Sequence, residues 1–564
     1  MKPKTIMIYP KIDWTKIADL VKYEDILLCL PNQFLGVKKN KNFLCEVKKT
    51  LNYFKKLNST HWLSFYNESD LSLVKKAVEQ SYNWAQNSTH SFELKDDLSL
   101  FSHEGELLDS LTFLDNELCD SKHEVDFSEI ILDNRNFFTE KSRLRSMDVD
   151  ELAPAADCFL KKKTIGRYHL DPAAAPFTGV AYEYKTPSYP QFNYGYGRAF
   201  DFKTAKNIAS LEAVERYASQ FYTYDFKNYV KEGSYDELSE MAIEPSNFYL
   251  EKNSKVKNST ELIWTKAYSV RDKKDILVPE DLVYYGNNPS RPNYTRSIND
   301  SSNGVALGST YAEAMIYGLL ELIERHSFLA TWYGGIPGKK IENYHDFLGA
   351  KELQAVKNLT IEDAELTLFE ISLFPDVYVI WALIISTGNK STISTYTSAG
   401  SGFSLEEAIK SAVMEVSVGY LVQKNYHDSY PDIPSKINKM DDHIEYFGNP
   451  TNIKEFDFTK HFPSVKYKQK TSKLLDDFDN QEEVLRYLLN EILCEYRDIY
   501  FANLTSERMN KLQLHVVKAI IPGFLPITFG QDNLRIDLED INTIRRNKNL
   551  EPLNSINRRP HPFP

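Results

Sequence analysis

The sequence places Glu-x-x-Glu-Arg twice, as Glu212, Glu215 and Arg216 and again as Glu321, Glu324 and Arg325, each time inside a largely apolar stretch. On a helix turning roughly 100° per residue, acids at i and i+3 fall about 60° apart, so each pair points from one face. The apolar neighbours, from Ile208 to Tyr217 and from Tyr317 to His326, imply helices that are half buried or more. Desolvating two like charges one turn apart is costly unless cations neutralise them. An oxygen-only cluster suits Mg²⁺ carrying nucleotide phosphates rather than zinc. One such motif alone is ordinarily a surface Glu–Arg pair. Two copies on apolar helices point instead to a cation site, with Glu212, Glu215, Glu321 and Glu324 as its candidate ligands.

A third copy of the same unit follows, since Glu407-Ala408 to Tyr420 repeats the register of Glu313-Ala314 to His326. In that register Glu212, Glu321 and Glu415 coincide, while Glu215, Glu324 and Val418 form the next column. The third helix keeps one acid and lacks the pair. Each helix follows a stretch expected to be a glycine-containing loop: Gly195 and Gly197, then Ser302 to Thr310, then Gly400 and Gly402. Glycine lets a backbone approach a ligand closely, and helix N-termini attract phosphate oxygens. The second loop is the best phosphate or ribose candidate, because Asn303, Ser309 and Thr310 add polar side chains to it. Thr310 reads as a helix cap with Glu313 in capping-box position. Glu313 falls about 80° from Glu321 and about 20° from Glu324, so the three acids share a stripe. Arg325 sits beside them, placed to balance the cluster or to reach a phosphate.

Composition narrows the partners. A formal charge of −12 over 564 residues argues against nucleic acid. No apolar run approaches the ~18 residues needed to span a bilayer. The N-terminus lacks the apolar core and cleavage site of a signal peptide, so a cytoplasmic location is expected. The five cysteines are scattered with no Cys-x-x-Cys pair, which argues against a disulfide framework or a zinc ribbon and predicts reduced, partly buried thiols.

Along the chain, residues 1–145 read as a separate N-terminal α/β accessory or docking region, with strands over 5–9 and 26–30 and a helix over 71–84. Residues 146–564 read as an α+β domain in which apolar strands, such as 377–385 and 514–521, alternate with the repeated helices. A Pro-, Asp- and Lys-rich stretch over 428–477 is expected to be a mobile insertion before a helix over 481–494.

The last five residues are Pro560-His561-Pro562-Phe563-Pro564. A Pro-rich end is ordinarily a disordered remnant or a polyproline II docking peptide. Its stiffness, however, means that little entropy is lost when it is fixed in a site. His561 is expected to pack or hydrogen-bond rather than to catalyse. The paired Glu-x-x-Glu-Arg motifs together with this tail resemble the YcaO superfamily over about residues 161–564, and within it the azoline-forming cyclodehydratases that modify ribosomally made peptides.

The resemblance implies an ATP-dependent enzyme of YcaO-type fold. Glu212, Glu215, Glu321 and Glu324 would bind Mg²⁺, and Asn303, Ser309, Glu313 and Arg325 would lie near the nucleotide. The tail would enter the active site and bring the carboxylate of Pro564 to the reaction centre. It also implies a precursor-peptide substrate and a leader-peptide-binding partner protein, and leaves room for a flavin-dependent dehydrogenase acting downstream. One departure stands out, because the family often has Glu-x-x-Gln on the third helix where this chain has Glu415 and Val418. Two alternatives use the same residues: a thioamide- or amidine-forming enzyme, and a non-catalytic docking scaffold.

Overall fold

The computed structural model describes residues 4–7, 25–30, 33–37, 98–102 and 107–111, and from 123 onward all but 133–143, 172–176, 187–191, 221–229, 252–253, 286–295, 387, 389–390, 469–474, 476, 558 and 564. Two compact units divide the chain: residues 1–119 with 160–166 and 184–192, and residues 120–159, 167–183 and 193–564. The smaller unit carries a five-stranded sheet, Lys4–Met7, Ile26–Leu30, Gln33–Val37, Leu98–Ser102 and Leu107–Leu111, in chain order. Its first pair is parallel and the rest antiparallel. Ile26, Leu27, Leu28 and Val37 are buried in it. The helix expected over 71–84 lies outside the described residues.

The larger unit holds two main sheets. One orders Lys274–Pro279, Leu262–Ser269, Tyr500–Asn503, His515–Ile520 and Val305–Gly308, with Val230–Gly233 also paired to Leu262–Ser269. The other orders Thr395–Gly402, Tyr378–Ser386, Ala364–Glu370, Lys339–Ile341 and Ser464–Val465. The three repeats are strand–helix units: β1 (Asn193–Ala199) with α1 (Phe202–Gln220), β2 (Val305–Gly308) with α2 (Tyr311–Gly334), and β3 (Thr395–Gly402) with α3 (Leu405–Tyr426). Helix α2 packs on strands of both sheets, which is why it is apolar nearly all round. Thr310 caps it as expected, accepting the Glu313 N–H at 3.0 Å, and Gly335 closes it in the left-handed region at φ 57°.

Three expectations need correction. The glycines before α1 and α3 lie within β1 and β3 rather than in loops, the second stretch likewise holds β2 with Gly308 at its end, and the role of these strand glycines is close packing of strand on helix. A Cβ at Gly197 would stand 1.8 Å from the Ala205 carbonyl oxygen, and one at Gly400 would stand 2.5 Å from that of Ala408. Glycine on the strand against alanine on the helix lets the two backbones nearly touch. The stretch over 428–477 is likewise not a bare insertion. It folds into the helix Met440–Gly448 and the 3₁₀ segment Pro450–His461, and their Phe447 and Phe456 pack on Trp332 of α2. Burial of those rings outweighs a composition that otherwise favours loops.

Among the described residues no helix is long and apolar enough to cross a membrane. Cys158 and Cys494 are exposed free thiols, not the partly buried ones expected, because both fall on the solvent faces of amphipathic helices.

Candidate active site

Helices α1 and α2 turn their acids toward one another. Glu212 accepts the Tyr196 N–H at 3.0 Å and an Arg216 guanidinium N–H at 2.9 Å. Arg216 also lies 3.7 Å from Glu215. Burial pushes the Glu215 carboxyl up to about 8, Arg216 pulls against that, and the like charges of Glu212 and Glu321 add to the rise.

On α2, Glu321 accepts the Gly304 N–H at 2.8 Å. Gly304 holds φ at 76°, where side chains are strained, and a Cβ there would stand 2.5 Å from the Ala519 carbonyl oxygen. The loop glycine therefore serves the acid directly. Lys518, buried in the strand His515–Ile520, pins this loop by donating to the carbonyls of Ser301 (3.0 Å) and Asn303 (2.6 Å). Asn303 and Arg325 line a common cavity with Asp300, Leu322 and Lys518.

Glu324 is pushed up to about 7 by burial, with Glu415 and Glu321 adding to the rise and Arg325 opposing it. Glu415 of α3 accepts a hydrogen bond from Arg198 of β1 at 3.2 Å. Arg198 stays charged despite burial because Glu415 and Glu212 face it. Five carboxylates from three helices thus form one stripe, interleaved with Arg216, Arg325 and Arg198. Val418 takes no part, and packs instead in an apolar cluster with Phe177 and Ala355.

Glu313 is fully buried and held by three donors: Arg145 at 2.8 Å, the Ser309 hydroxyl at 2.7 Å and the Ser309 N–H at 3.3 Å. Ser146 and Ser309 share a further hydroxyl hydrogen bond at 2.7 Å.

The tail is docked. Pro560 to Phe563 are buried, and Pro564 lies outside the described residues. Phe563 packs on Phe328 (ring centroids 4.7 Å apart) and lies under the Arg325 guanidinium, 4.0 Å from its ring centroid. His561 is buried and donates through Nε2 to the Thr528 carbonyl at 3.0 Å, the hydrogen-bonding part expected of it.

A divalent cation fits this donor set in a particular way. Among the described residues no group of three or more His, Cys, Asp or Glu side chains is placed to hold a metal ion by itself. What the helices offer is carboxylate pairs in each of which burial penalises the ionised form of one member, Glu215 or Glu324. A cation held by one or two carboxylates, keeping its waters and taking phosphate oxygens, matches that; it is the habit of Mg²⁺. Arg325 stands only 3.7 Å and 4.0 Å from Glu321 and Glu324, and its buried Nε makes no hydrogen bond. Such a group retains capacity for an anion.

Sequence reasoning missed Arg198, Arg145, Ser146 and Lys518. Arg198 follows Gly197 in the first repeat, a position that alignment of the repeats offered for inspection. Arg145 and Ser146 flank the division drawn between residues 1–145 and 146–564, and nothing local marks Lys518.

A family model described as YcaO cyclodehydratase, ATP- and Mg²⁺-binding, matches residues 196–525. In fold the chain is similar to a solved heterocyclase in complex with substrate and cofactor, at 15% identity and a TM-score of 0.67, covering 99% of this chain and 80% of that one. It is also similar to the heterocyclase TruD, at 13% identity and a TM-score of 0.53, covering 91% and 72%. At such identities the likeness is one of fold. An uncharacterized protein of Methanothermobacter thermautotrophicus is 28% identical over 139 residues, which are 24% of this chain and 33% of that protein. The match spans about a third of that relative's length.

Proposed function

The chain belongs to the YcaO family, an ATP- and Mg²⁺-binding family, and on that premise we propose that it forms azolines in a ribosomally made precursor peptide. A Cys thiol, or a Ser or Thr hydroxyl, adds to the carbonyl carbon of the preceding residue and loses its proton. The oxygen of the resulting hemiorthoamide attacks the γ-phosphorus of ATP, and ADP leaves. The amide nitrogen then loses its proton and forms the C=N bond as phosphate departs. Peptide and ATP become azoline, ADP and phosphate.

Chemistry of this kind needs charge neutralised and reactants aligned more than it needs an enzyme nucleophile. Glu212, Glu215, Glu321 and Glu324 would hold Mg²⁺, whose contribution is to offset phosphate charge. Arg325, with guanidinium capacity to spare, is assigned to the phosphates and Asn303 to the nucleotide beside it. Glu313 fixes Ser309 and Arg145 at the nucleotide's edge. The tail, through Pro564, is assigned the proton transfer at the amide nitrogen. Peptide recognition is assigned to a leader-binding partner, docked through residues 1–145 or the repeat core, and oxidation of the azoline to a flavin-dependent dehydrogenase.

The observation that supports this reading is the burial of Phe563 under Arg325, the residue that follows the second Glu pair. Incubation of the full chain and its partner with ATP, Mg²⁺ and precursor peptide tests it by mass. Azoline formation removes one water per residue. Thioamide formation exchanges oxygen for sulfur, and a docking scaffold leaves the peptide unchanged; either result would replace this reading.

A further inference from the structure

Prolines 560, 562 and 564 carry no N–H, so a tail of this composition brings chiefly carbonyl groups into its slot. A buried carbonyl without a donor is costly, and the slot must therefore supply donors. It supplies two from distant parts of the fold. His443, on the helix Met440–Gly448, donates through Nδ1 to the His561 carbonyl at 2.8 Å. Thr397, on β3, donates through its hydroxyl to the Pro562 carbonyl at 3.0 Å. Both residues are buried.

The His443 ring is committed to a single proton arrangement. Its Nε2 accepts the Gly530 N–H at 3.2 Å, so the proton must sit on Nδ1, facing the tail. Its ring lies 4.5 Å from that of His561 and 5.5 Å from that of Phe529, centroid to centroid, which fixes its plane. Immediately before the tail, Arg559 ion-pairs with Glu455 of the segment Pro450–His461. The stretch over 428–477 thus supplies two of the tail's anchors, and the strand that leads into α3 supplies a third.

We propose that His443 and Thr397 are positioning residues whose hydrogen bonds to successive tail carbonyls set how far the C-terminal segment reaches toward Arg325. Neither touches the acid stripe. They act through the tail, and the consequence for ring closure rests on the role given to the tail under the proposed function.

The two ring nitrogens of His443 allow a clean test in the full-length protein. His443→Asn places an amide N–H near the position of Nδ1 and keeps the donor to the tail. His443→Gln places its amide near Nε2, keeping the contact to Gly530 and losing the donor. Thr397→Val removes the hydroxyl at nearly constant shape, and Thr397→Ser retains it. Amide hydrogen exchange of the C-terminal peptic peptide reports on the tail, where His561 and Phe563 are the N–H groups that remain. Exchange should speed up by about tenfold or more in His443→Gln and Thr397→Val, and stay within about threefold of the parent in His443→Asn and Thr397→Ser. Melting temperature serves as the control for folding. Equal exchange in the Asn and Gln variants, or parent-like exchange in both Gln and Val variants, would overturn the proposal. This measurement uses neither ATP nor peptide, so its failure counts against the clamp alone. If the tail loosens as expected while ring closure keeps the parent rate, the positioning role falls together with the catalytic reading of the tail.

Discussion

Arg325 has two sets of neighbours: its guanidinium lies 4.0 Å above the ring of Phe563 and stands 3.7 Å from Glu321 and 4.0 Å from Glu324. One cation therefore joins the C-terminal tail to the acids of α2. Phe563→Ala removes a cation–π contact worth ~0.5–2 kcal/mol. It also opens a cavity against Phe328, at a cost of ~3–5 kcal/mol concentrated in the tail. Ring closure should fall by about two orders of magnitude while Mg·ATP affinity changes little. Phe563→Leu, which keeps apolar contact, should fall in between. Steady-state kinetics with nucleotide titration measures both quantities.

With Glu321 and Glu324 as the proposed Mg²⁺ ligands, Glu321→Gln and Glu324→Gln should each lower ATP turnover by about 100-fold or more, since roughly 3 kcal/mol of charge stabilisation would go with a lost metal ligand. Folding should be spared. Glu324 and Glu215 are carboxylates that burial and like charges penalise, so Glu324→Gln and Glu215→Gln should hold or raise the melting temperature. A surface Glu–Arg pair of no catalytic consequence would leave turnover intact, and an assay of ATP hydrolysis decides.

A pH dependence follows from the same two groups. In the metal-free protein Glu324 and Glu215 titrate near 7 and 8, above the ordinary value of 4.5. The folded state then holds more protons than the unfolded one between these values. Stability is fully present below about 4.5 and is lost as pH rises through 7 and 8. Cation binding removes the penalty, so the gain in melting temperature given by Mg·ATP should grow from pH 6 to pH 8.5, and Mg²⁺ binding near pH 7 should release protons. Calorimetry in buffers of different ionisation enthalpy reads that release; its absence would separate the acids from the cation.

The acid stripe was legible because helical periodicity and charge are local properties, and a repeat makes them visible twice. Glu212 and Glu215 lie on α1 and Glu321 and Glu324 on α2, the helices expected from the spacing, with Glu215 within electrostatic reach of Glu321. The glycines were misread, because glycine in a loop near a ligand and glycine in a strand against a helix leave the same mark; only the meeting of Gly197 with Ala205 tells them apart. Composition misled over 428–477, where Phe447 and Phe456 reach a core that the sequence does not show as adjacent. Lys518 and His443 could not be found at all, since each acts across a long separation: Lys518 on the Asn303 carbonyl, His443 on that of His561.

In the proposed reaction ATP activates an amide oxygen of the peptide rather than being hydrolysed beside it. A precursor peptide carrying heavy oxygen in the carbonyl that precedes its reactive Cys tests this directly, with the phosphate product analysed by mass spectrometry after turnover by the full chain together with the proposed leader-binding partner. The account predicts one labelled oxygen in phosphate for each azoline formed. Azoline formation with the label released into water, or labelled peptide left intact while ATP is consumed, would contradict it.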